Sequence, residues 1–129
     1  LDVAMGKLTM GGAPVVESGE SSLGSWTKFA DGTMICYKAN AIIFNPMGLS
    51  EQQSKTWNMP QSFVNTNYVI QHSLIGFYSG SWSDNAEILM NSLIVRNKKE
   101  NSVDLATYSY TYAISNNIPF DLMAIGRWK

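Results

Sequence analysis

The residues able to do chemistry in this chain are few. It holds one histidine and one cysteine in 129 residues, His72 and Cys36. With a single histidine, neither a nucleophilic triad nor a histidine-rich metal site is expected within one chain. His72 sits in the run Gln71-His72-Ser73, on the same strand face as Ile70 and Leu74. It reads either as a core or interface histidine, or as one placed on a three-fold axis where three copies meet an ion or water. A lone cysteine leaves no internal disulfide and no multi-cysteine metal centre. Met10-Gly11-Gly12 lacks the lysine and following helix of a phosphate loop, so no cofactor is expected.

Glycoside hydrolysis needs two carboxylates held at a set separation. The candidate pairs are Asp84 with Glu87 and Asp31 with Asp121. Asp31 has a turn to make, Asp121 follows a Pro-Phe step, and Asp84 and Glu87 fall on opposite faces of a strand. No spacing forces a pair together, and the chain is not expected to be an enzyme. The segment 78–85, Tyr78-Ser79-Gly80-Ser81-Trp82-Ser83-Asp84-Asn85, offers different chemistry. A tryptophan or tyrosine ring packs on the C–H face of a pyranose, while Asp and Asn bond vicinal hydroxyls. Rigid strands hold such loops in place.

The elements around this loop read as strands, because β-branched and aromatic residues recur in short runs between Gly, Asn, Ser and Pro. The expected strands are 26–30, 33–38, 41–44, 68–78, 86–96, 102–114 and 122–128. Segment 49–57 holds helix formers but lacks apolar residues at helical spacing. Asp31-Gly32 is expected to close a two-residue hairpin, since such turns need positive φ angles. If 68–78, 86–96 and 102–114 run antiparallel in order, loops 79–85 and 115–120 share one end of the domain. That end collects Tyr78, Trp82, Asp84, Asn85, Asn116 and Asn117 as the candidate ligand site. The opposite end receives Lys98, Lys99 and Glu100, a solvated charge cluster.

Several expected strands are apolar on both faces: in 86–96, Ile88, Met90 and Ile94 alternate with Leu89, Leu93 and Val95. A free sandwich would show one polar face, so a second copy of the chain is expected to cover the other. Nine Lys and Arg balance ten Asp and Glu, and only 15% of residues are charged, against roughly 25% in an ordinary domain. Such a weak field argues against nucleic acid or an anionic membrane as partner. No apolar stretch is long enough to span a membrane, and no leader is visible. Leu1 at the start reads as a fragment or processed product made in a cytoplasm. Residues 1–16 read as the end of a fibre shaft or linker, and 17–129 as the domain.

Two segments resemble a domain found at the C-terminus of phage and prophage tail fibres. The first is Glu17-Ser18-Gly19 with Gly24-Ser25-Trp26-Thr27-Lys28-Phe29-Ala30-Asp31-Gly32-Thr33 and the strand after it. The second is Ala124-Ile125-Gly126-Arg127-Trp128-Lys129, and between them lie Trp57, Pro60 and Phe63 in a looser Trp-x-x-Pro-x-x-Phe element. The resemblance implies an all-β, compact antiparallel β-sandwich similar to the H-type lectin fold, assembled as a homotrimer in a virion. It also implies contact with a bacterial surface glycan (lipopolysaccharide or capsule) or an outer-surface protein. Its matched residues look structural: Asp31 and Gly32 for the hairpin, Trp26 and Trp128 for core or interface, Arg127 for a pair. The alternatives are a structural cap that registers the trimer, and a polysaccharide depolymerase.

Overall fold

A computed structural model describes residues 9–10, 13–46, 48, 50–74, 93–108 and 117–129. The chain is all-β, and among the described residues every strand pairing is antiparallel. A six-stranded sheet is formed by β1 (Thr9–Met10), β2 (Ala13–Ser21), β3 (Gly24–Phe29), β4 (Thr33–Phe44), β9 (Ile118–Arg127) and β6 (Val69–Leu74), in that spatial order. A three-stranded sheet has the order β5 (Gln52–Asn58), β8 (Ser102–Tyr108) and β7 (Ile94–Lys99). β2 spans the position expected to separate shaft from domain, and its register to β3 shifts there, between Val15 and Glu17.

The two sheets share one core, as a sandwich requires. β4 contributes Met34, Cys36, Ile42 and Phe44, and β9 contributes Ile118, Phe120, Leu122 and Ala124. The smaller sheet answers with Trp57, Val103 and Leu105, and the connection between β5 and β6 adds Met59, Phe63 and Tyr68. These alternate residues of β4 and β9 explain why the larger sheet buries one face. Trp57 ties the sheets further, its indole N–H donating to the Leu23 carbonyl at 3.2 Å.

Several elements differ from the expected ones. β4 is one strand across 33–44; the break expected near 39–40 is a bulge, with the register shifting between Lys38 and Ile42 and Asn40 at φ 52°. The turn at Asp31-Gly32 has three residues, Ala30, Asp31 and Gly32, rather than two. The Gly32 N–H donates to the Phe29 carbonyl at 3.0 Å, and the positive φ, 97°, falls on Gly32. A type I turn closed by one left-handed glycine accounts for this. Asp31 accepts the Thr33 N–H at 2.8 Å, which together with the nearby Arg127 holds its carboxyl below the usual range.

β5 occupies the segment with helix formers, because it pairs along its whole length with β8, from Gln52 opposite Tyr108 to Asn58 opposite Ser102. β9 begins four residues earlier than expected despite Pro119. Among the described residues the β6 ladder reaches Leu74 opposite Phe120, and Pro119 lies one position past it. β7 runs on through Lys99. Residues 75–78, 86–92 and 109–114 of the expected strands lie outside the described residues.

The core sets a pH limit. Burial pushes the Cys36 thiol up to about 11 and the Tyr68 hydroxyl up to about 12, above their ordinary values near 8.5 and 10. Both groups are raised acids, so the unfolded chain ionises first as pH rises, and stability falls through the window from about 9 to about 12. Urea midpoints should hold steady between about pH 7 and pH 8 and fall steadily above 9. A midpoint unchanged at pH 11 would contradict the burial of both groups.

Candidate functional site

The two segments that resemble tail-fibre domains, one near each end of the chain, meet in space. Gly19 lies under the Trp26 ring so closely that a Cβ there would sit 2.5 Å from Trp26 Cζ2. Glu17 accepts from the Trp26 indole at 3.4 Å and pairs with Lys28 at 3.3 Å. The Lys28 ammonium stands 5.5 Å from the Trp128 ring centroid. Trp128 in turn donates its indole N–H to the Phe29 carbonyl at 2.8 Å and its backbone N–H to the Gly32 carbonyl at 2.9 Å. Arg127 packs its guanidinium directly over Gly32. Trp26 and Trp128 are partly buried against the core. The motif is a structural clasp joining the β3–β4 hairpin to the chain's last residues.

Of the candidate ligand residues, Tyr78, Trp82, Asp84, Asn85 and Asn116 lie outside the described residues. Asn117 is exposed immediately before β9. It stands at the end of the larger sheet where the chain leaves β6, since Leu74 pairs with Phe120. Lys98 and Lys99 belong to the other end, beside Tyr68 at the start of β6. Among the described residues β6 and β7 lie in different sheets, and β7 pairs with β8.

The charge cluster at 98–100 is not simply solvated. The Lys98 ammonium donates to the Tyr68 carbonyl at 2.6 Å and lies 5.2 Å from that ring's centroid. The Tyr68 hydroxyl reaches the carbonyls of Lys99 at 2.6 Å and Ser102 at 2.9 Å. The β7–β8 turn is therefore bolted to the larger sheet. Nothing local in the sequence signals this, because the partners are about 30 residues apart.

His72 faces the core side of β6, with its ring edge-on to Phe120 at 5.7 Å. Its Nδ1 is buried and has no hydrogen-bond partner among the described residues. Desolvation holds its pKa below the ordinary value, so its contribution to stability is lost as pH falls below about 6.5. His72 is partly buried and stands outside the central core cluster. The carboxylates Asp31 and Asp121 do not meet either. Asp31 sits beside Thr33, which pairs with Arg127, about 20 Å along β9 from Asp121 at the strand rise. Asp121 accepts the bulge N–H of Asn40 at 2.9 Å. Asp84 and Glu87 lie outside the described residues.

The outer faces of the two sheets differ in chemistry. On the smaller sheet, Thr56 and Asn97 both bond the Asp104 carboxylate, at 2.6 and 2.9 Å. Together they hold its pKa below the ordinary value. Asn58, Lys99 and Ser102 complete a polar cleft there. The larger sheet presents apolar rows in register. Ile35, Ile125 and Val69 form one row, and Tyr37, Met123 and Gln71 the next. A shallow depression of about 410 Å³ follows, bordered by Ala39, Asp121 and Ser73 on its far side. The sequence missed this surface: its apolar residues belong to three separate strands, and only their pairing collects them.

No family model matches the chain, and no curated protein matches it at a significant level. Solved structures do. The chain resembles a P. aeruginosa R1 pyocin fibre comprising C-terminal residues 323–701, with TM-score 0.56 and 18% identity over 86% of this chain. It also resembles an N-truncated R1-type pyocin tail fibre, with TM-score 0.54 and 17% identity over 85% of this chain. The chain spans 28% of the first fibre's length and 84% of the second's. Its fold is thus one found in R1 pyocin tail fibres.

Proposed function

We propose that the chain is the receptor-binding part of a trimeric tail fibre in a phage or phage-like particle. In this reading it is a lectin-like sandwich that holds the particle to a bacterial surface glycan, lipopolysaccharide or capsule, or to an outer-surface protein. The observation that supports it most is the likeness to pyocin tail fibres over 86% of the chain. The clasp adds weight, because the motif residues that prompted the tail-fibre reading hold the fold together and leave loops free to vary. A neutral, Asn- and Ser-rich surface suits hydroxyl recognition better than long-range charge steering.

Exposing the purified protein to arrayed lipopolysaccharide and capsule fragments tests the reading. Binding without shortening supports it. No binding alongside an intact trimer supports a structural cap, and shortened fragments support a depolymerase. Trp82→Ala should weaken attachment to host cells by about tenfold to a thousandfold, since a stacked aromatic at a hot spot contributes a few kcal/mol and three linked sites amplify the loss. Normal attachment with early melting would make Trp82 a core residue and remove it from the site.

A further inference from the structure

Ordinary exposed sheet faces alternate toward solvent with polar side chains, and the outer face of the larger sheet does not. Tyr37 is 49% exposed, Val69 55%, Met123 38% and Ile125 37%, all on that one face. Ile43 continues the surface beyond the depression at 45% exposure. The two central rows hold no charged side chain; Asp121 and Arg127 stand only at the margins. Scattered exposed apolar residues are normal, but a contiguous patch marks a contact surface.

We infer that this face is where copies of the chain pack against one another, with β4, β9 and β6 of each subunit turned inward. The inference rests on the trimeric reading above and assigns its surface. Area agrees with it. With the flanking β3, four strands about 4.8 Å apart, of twelve, ten, six and six residues at about 3.3 Å each, make a plane of roughly 540 Å². Side-chain relief brings that toward the ~800 Å² per partner of a specific interface. The near-absence of charge fits a like partner, because a copy brings the same residues and any charge at the centre would meet its own sign. The depression beside Tyr37 and Met123 supplies a socket into which a neighbour's side chain can insert. The smaller sheet's outer face, with Asp104 held by Thr56 and Asn97, is left toward solvent.

Light scattering on three single variants tests the assignment. The unaltered protein should weigh three times the 14.3 kDa of the chain. Met123→Glu places three carboxylates together at the contact and should raise the trimer dissociation constant at least about a hundredfold, giving monomers that keep their strand circular dichroism. Val69→Glu should do the same from the edge strand β6, and decides the matter if Met123→Glu fails to fold. Ile94→Glu, on exposed β7 of the other sheet, should remain trimeric. Trimers that persist in both Met123→Glu and Val69→Glu overturn the surface while leaving the trimer intact. If those trimers also lose glycan binding, the face is a receptor surface instead. A monomeric unaltered protein removes the trimeric reading and this surface with it.

Discussion

Tyr68→Ala should lower the unfolding free energy by about 4 kcal/mol, within the 3–5 kcal/mol typical of deleting a buried aromatic ring. The side chain is 1% exposed and stacks on Phe63 with ring centroids 4.6 Å apart. Its Cβ also lies against Gly126 of β9, where an added Cβ would sit 2.6 Å from it. The truncation opens a cavity at the junction of the two sheets and strands the Lys99 and Ser102 carbonyls that its hydroxyl serves. It also removes the ring beneath the Lys98 ammonium. A loss of 4 kcal/mol is a large share of a typical 5–15 kcal/mol total, so the variant should be largely molten near 37 °C. Tyr68→Phe separates the two contributions. It keeps the ring and should cost only about 1–2 kcal/mol for the unserved carbonyls, while weakening the stability loss above pH 10. Urea denaturation of both variants measures the difference. Equal losses would mean that the hydroxyl, not the ring, fastens the β7–β8 hairpin.

Gly24→Ala should cost about 3 kcal/mol or more, although alanine is ordinarily the milder replacement. Gly24 holds φ at 135°, a region closed to residues with a Cβ. The added carbon would also stand 2.6 Å from the Tyr37 carbonyl oxygen and 3.2 Å from Lys38 Cβ. The oxygen belongs to backbone within the β3–β4 ladder, so it cannot swing aside as a side-chain tip could. The Lys38 ammonium bonds the Ser22 carbonyl at 2.5 Å, which fixes the β2–β3 turn against that same strand. Relief therefore requires β3 to part from β4. For a chain of this size the penalty corresponds to a drop of roughly 10 °C in Tm. Where glycine sits in an ordinary conformation, the same substitution stabilises by limiting the unfolded chain. An unchanged Tm in Gly24→Ala would mean that this turn is not built as described.

Much of this architecture is legible along the chain. Trp26 to Phe29 and Thr33 to Lys38 read as strands because β-branched and aromatic residues crowd there, and the glycine after Asp31 marks their turn. The motif glycines carry their own explanation once packing is known. Gly19 admits the Trp26 ring, Gly32 admits the Arg127 guanidinium, and Gly24 takes a φ that only glycine holds. The clasp's partners, Trp26 and Trp128, could be named from sequence, but not the acceptors they serve, the Glu17 carboxylate and the Phe29 carbonyl.

What local reading could not supply was which strand pairs with which. Gln52 to Asn58 has little strand character of its own and becomes β5 through pairing with β8, about 50 residues away. Lys98 reads as a solvated charge until the fold sets Tyr68 beneath it. Tyr37, Val69, Met123 and Ile125 look like isolated apolar residues until β9 is inserted between β4 and β6. Backbone preference acts over a few residues and is written in the side chains themselves, so the sequence determines where strands form and where the chain turns. Pairing between distant strands depends on burying one shared face, and only the closed sandwich decides which residues remain together on the other.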